Sequence, residues 1–93
     1  MAIYMVGYDL NKSGKDYDGL IAKIKEISNG WWHNLDSTWL IGHAGRADKI
    51  RDALKPYIDK DDELLVVLLA KGDAAWTGFD KKGSDWLLNN LSN

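Results

Sequence analysis

Few residues in this chain carry side chains suited to chemistry, and the first is Asp9, in the run Ile3-Tyr4-Met5-Val6-Gly7-Tyr8-Asp9-Leu10. A carboxylate one residue before an apolar run stops has two readings. It can fold back as an Asx-turn onto the polar Asn11-Lys12-Ser13-Gly14. It can also offer oxygen to a hard cation, Mg2+ or Mn2+, of the kind that activates water for phosphodiester cleavage. One carboxylate is too few for that task, and the two-fold axis of a homodimer would double it. Gly7 shares the strand face of Asp9 and leaves room there for a ligand or a second backbone.

Each remaining candidate has a structural role beside its chemical one. His33 and His43 are the two imidazoles; their spacing matches no metal motif, no cysteine joins them, and structural roles are favoured. The segment Gly42-His43-Ala44-Gly45-Arg46 precedes a helix, where free amides and an arginine can hold a phosphate of a nucleic acid. Asp48 opposes that attraction, and a turn that uses two flexible glycines, Gly42 and Gly45, accounts for the same residues. Trp31, Trp32 and Trp39 could stack nucleobases, but no Lys or Arg is interleaved, so core or dimer-interface roles are favoured. Lys81 and Lys82 read as solvated.

These residues must be positioned by a small frame. The 93 residues suffice for one domain, with 45% hydrophobic and 28% charged residues, the profile of a soluble globular chain. A formal net charge of -2 supplies no basic field, so nucleic acid is a partner the charge does not favour. No apolar run approaches the ~20 residues of a membrane span. The opening MAIYMVGYDL lacks the basic start of a signal peptide, and zero cysteines fit a cytoplasmic location.

Residues 2–10 read as a central strand, apolar on both faces. Tyr17, Leu20, Ile21, Ile24 and Ile27 then follow helical spacing, with Asp16 as N-cap and Asn29-Gly30 as the stop. Strands are expected near 31–35 and 38–43, joined tightly or as one bent strand, then a helix with Ala47, Ile50, Leu54, Tyr57 and Ile58 on one face and an irregular last turn at Pro56. Leu64 to Ala70 reads as a second central strand with Val67 in the core. A short helix capped by Ser84 closes the chain. The order βαββαβ with a tail predicts an α+β, ferredoxin-like plait over residues 1–71, with residues 72–93 packing on it or on a partner. Helices cover one sheet face only, so Trp76, Phe79 and Trp86 of the tail, together with a second copy, are expected to cover the other.

The first strand ending in Tyr8-Asp9-Leu10, the segment Ser37-Thr38-Trp39-Leu40-Ile41 and the final Asp62-Glu63-Leu64-Leu65-Val66-Val67 are similar to small ferredoxin-fold CRISPR-associated proteins of the spacer-integration complex. The likeness extends to their relatives, the virulence-associated protein D toxins and the SinR-like small proteins, and most to the last. The resemblance covers residues 2–71. It implies a homodimer with Tyr8 and Asp9 at the symmetric interface, and in nuclease members two such aspartates hold a divalent metal. On that footing Asp9 is the expected catalytic and metal-binding residue, acting on RNA or DNA, with Tyr8, Trp39, Trp76 and Phe79 expected at the dimer interface. Two alternatives come from other classes. One is a non-catalytic protein-binding or assembly module, phage- or defence-associated, on the same dimeric scaffold. The other is a small-ligand binder at the tryptophan-lined sheet edge.

Overall fold

The computed structural model describes residues 1–11 and 17–92. The elements are β1 (Ala2–Asp9), α1 (Asp18–Ile27), β2 (Trp31–Leu35), β3 (Thr38–His43), α2 (Ala47–Leu54), a 3-10 turn (Lys55–Tyr57), β4 (Glu63–Leu68) and α3 (Lys81–Leu91). The result is an α+β fold in which one four-stranded antiparallel sheet has the order β2-β3-β1-β4.

The helical stripe in the sequence does what its spacing requires. Leu20 and Ile24 of α1 and Ile50 and Leu54 of α2 are fully buried against Tyr4, Val6, Trp39 and Ile41 of the sheet. Tyr17, Ile21, Ile27, Ala47 and Ile58 close the margin of that core. Pro56 sits in the 3-10 turn that ends the second helical segment, as its missing N–H demands. Between β2 and β3, Ser37 takes a φ of 54°, the left-handed geometry a tight hairpin turn needs. The expected Asp16 cap and the Lys12-Ser13-Gly14 part of the turn lie outside the described residues.

Two expectations need correction. First, the Leu64–Ala70 run is not a central strand: β4 ends at Leu68 and lies at the sheet edge, paired with β1 only. Its apolar character on both faces has two causes. Leu64 and Val66 pack into the helix-side core, while Leu65 (58% exposed) and Val67 (39%) stand on the opposite face. Second, α3 is capped by Asp80, whose Oδ1 accepts from Gly83 N at 2.8 Å, not by Ser84. The helix begins early because Gly83 lies buried against β2, where its carbonyl accepts from Trp32 Nε1 at 3.2 Å. Trp76 and Phe79 are partly buried within the chain's own fold. With Trp86 they surround a second core in which Leu87 and Leu91 of α3 meet Ile3, Trp32 and Leu40 on the outer sheet face. The tail thus covers the β2 side of that face and leaves the β4 side bare. Among the described residues no helix is long and apolar enough to cross a membrane.

Candidate functional site

Antiparallel pairing of β1 with β4 fixes what surrounds Asp9. Asp9 stands directly opposite Glu63, and Gly7 opposite Leu65, so two exposed carboxylates share one face at one end of the sheet. Like charges directly opposite each other repel. The space beside them is open: a Cβ built on Gly7 would touch only Met5 Cε at 3.8 Å. Gly7, Tyr8, Asp9, Glu63, Leu64 and Leu65 line a shallow cavity of about 260 Å³.

The Asx-turn reading of Asp9 does not hold within the described residues. The amide such a turn would engage, Asn11 N, donates to Asp62 Oδ1 at 2.9 Å. Asp62 also accepts from the Tyr17 hydroxyl and from Asp59 N. Asn11 Nδ2 reaches the Asp61 carbonyl at 2.7 Å, which ties the exit of β1 to the turn before β4. Asp62 therefore organises this end of the sheet, and Asp9 is left pointing to solvent. The expected metal site gains one carboxylate, Glu63, but no group of three His, Cys, Asp or Glu side chains able to hold a metal occurs among the described residues.

The other candidates are scattered. Tyr8 and Trp39, expected at a dimer interface, meet inside the chain's own fold: Trp39 is 1% exposed and its Nε1 donates to the Tyr8 hydroxyl at 3.0 Å. His33 stacks flat on Trp39 with ring centroids 3.9 Å apart, and Trp31 leans on the same indole. His43 accepts from Gly45 N through Nδ1 at 2.8 Å and meets Tyr4 edge-on, so both imidazoles have structural partners. Phosphate capture at Gly42, Gly45 and Arg46 is weakened on the same grounds. Gly42 N already donates to Gly30 O at 2.9 Å, and the 91%-exposed Arg46 side chain leans towards Asp48. Neither glycine has a positive φ; what they supply is space, since a Cβ at Gly45 would strike His43 Cε1 at 2.8 Å. Lys25 does lie over the Trp31 ring, 4.9 Å from its centroid, and supplies a cation that the linear spacing did not reveal. The pKa values of Lys23 and Lys81 are displaced. Both are raised by hydrogen bonds to a carboxylate on the next helical turn, Glu26 and Asp85 respectively.

The most conspicuous surface was not among the sequence candidates. The outer side of β4 has no strand partner among the described residues, and Leu65, Val67 and Leu68 (58% exposed) expose three large apolar side chains along its six residues. Its signal was available in the run Glu63-Leu64-Leu65-Val66-Val67-Leu68, which has neither a Pro nor an internal charge. No family model matches the chain, and comparisons with curated proteins and with solved structures give no match.

Proposed function

We propose that this chain is an assembly module: a small, cytoplasmic, ferredoxin-like protein that works as a non-catalytic homodimeric scaffold. The element order and the strand order β2-β3-β1-β4 support the ferredoxin-like reading. The observation that carries the function is the bare β4 side of the outer sheet face, with Leu65 58% and Val67 39% exposed next to an unpaired strand edge. Soluble chains protect such edges with charge, proline or a covering element, and an unprotected apolar edge is a surface for association. Sedimentation at micromolar concentration should give twice the 10.5 kDa chain mass. A single 10.5 kDa species across that range would overturn the proposal.

A second reading rests on the facing Asp9 and Glu63. Two like charges in cross-strand register favour a divalent cation between them, and Mg2+ or Mn2+ held there is the core of the nuclease reading. Acidic surroundings (Asp59, Asp61 and Asp62 precede Glu63) repel a phosphate backbone, which places this reading second. Its test is a melting temperature that Mn2+ raises in the wild type and not in Asp9→Asn, accompanied by RNA or DNA cleavage. Identical responses of the two proteins, without cleavage, would remove it.

A further inference from the structure

The register of the sheet settles which backbone groups β4 turns outward. Leu69 N donates to Ile3 O at 2.9 Å, and Tyr4 stands opposite Leu68, so Ile3 and Leu69 form a hydrogen-bonded pair. In an antiparallel ladder hydrogen-bonded and open pairs alternate. Met5 with Val67, Gly7 with Leu65 and Asp9 with Glu63 are therefore bonded pairs as well. The other side of β1 agrees, since the even-numbered Tyr8 donates to Ser37 O at 3.0 Å, towards β3. It follows that Leu64, Val66 and Leu68 direct their N–H and C=O groups away from the sheet, into the free edge.

We infer that this edge pairs with the same edge of a second copy, β4 against β4 in antiparallel fashion about a two-fold axis at Val66, giving one continuous eight-stranded sheet. This inference rests on the homodimer proposed above and names its interface. Three features point to a second copy as the occupant. Self-pairing centred on Val66 sets Leu64 opposite the partner's Leu68 and Val66 opposite the partner's Val66, so the outward groups meet in about six new hydrogen bonds. It also sets Leu65 beside the partner's Val67 on the bare face, where both are exposed in the single chain. Charge agrees with the same direction. Asp59, Asp61, Asp62 and Glu63, offset by Lys60 alone, crowd the start of β4, and Lys71, an exposed residue whose Nζ donates to the Met1 carbonyl at 2.7 Å, follows its end ahead of Asp73. Antiparallel self-pairing lays each acidic start beside the partner's Lys71, with Asp61 in register opposite it. Parallel pairing would stack acid on acid.

The test compares Leu68→Pro with Leu68→Ala. Leu68 N–H makes no ladder bond to β1, so proline there removes an outward donor while leaving the fold's own ladder intact. Alanine removes the exposed side chain and keeps the donor. Sedimentation should show the dimer dissociation constant raised at least about tenfold in Leu68→Pro relative to Leu68→Ala, with unchanged far-UV circular dichroism. Lys71→Glu should weaken the dimer by about two- to fivefold, and adding Asp61→Lys to it should restore the wild-type value. Equal dimerisation of the proline and alanine variants would overturn the edge interface and leave the homodimer standing. A monomeric wild type would overturn both.

Discussion

Tyr8→Phe is the cleanest probe of how the helix-side interior is arranged beneath the first strand. The substitution removes one oxygen, the acceptor of the hydrogen bond from Trp39 Nε1 at 3.0 Å, and keeps the ring. Trp39 is 1% exposed, so its N–H has little access to replacement water once the hydroxyl is gone. An unsatisfied buried donor costs about 1–3 kcal/mol. Tyr8 is itself only partly buried, which allows some water relief and places the expected loss near the low end, about 1 kcal/mol. For a domain of this size that corresponds to a fall in melting temperature of about 4–8 °C. Thermal denaturation followed by circular dichroism at two protein concentrations is the assay. Because the bond lies within one chain, the shift relative to wild type should be the same at both concentrations and the dimer should persist. An unchanged melting temperature would refute the buried bond, and loss of the dimer would return Tyr8 and Trp39 to an interface.

Three further outcomes follow from the same geometry. Val67→Asp should leave the chain folded, within about 0.5 kcal/mol as measured by urea denaturation of the monomer, because Val67 is 39% exposed on an edge strand; unfolding would restore the central-strand reading. Asp80→Ala removes the side-chain cap of α3 and should cost about 1 kcal/mol in the same assay, whereas Ser84→Ala should change little. In metal-free buffer Asp9→Asn should raise stability by a few tenths of a kcal/mol at low salt, through relief of its repulsion with Glu63, and the gain should fade as salt is added.

The helix positions were legible from Leu20, Ile24, Ile50 and Leu54, because helical periodicity reports burial on one side and the sheet supplied that side. The two middle strands were legible as well, since Asp36-Ser37 interrupts an aromatic and β-branched run where a hairpin must turn. What misled was β4. An apolar run reports that its side chains avoid water, not which element covers them, and an edge strand can have the same composition as a buried one. The cap of α3 was missed for a related reason: Asp80 and Ser84 are equally good caps in isolation, and only the close approach of Gly83 to Trp32 and Asn34 sets where the helix starts. Asp9 was picked out by its place in the run, but its neighbour Glu63 lies far along the sequence, a separation that only strand pairing closes.

Amide hydrogen exchange along β4, measured residue by residue at low and high protein concentration, tests the central claim most directly. The odd-numbered amides of Leu65 and Val67 bond within the chain and should be protected at both concentrations. Those of Leu64, Val66 and Leu68 face the free edge, and their exchange should slow by at least about tenfold as concentration rises and copies pair. Equal, fast exchange of these three amides at every concentration, while a dimer sediments, would contradict assembly through the β4 edge.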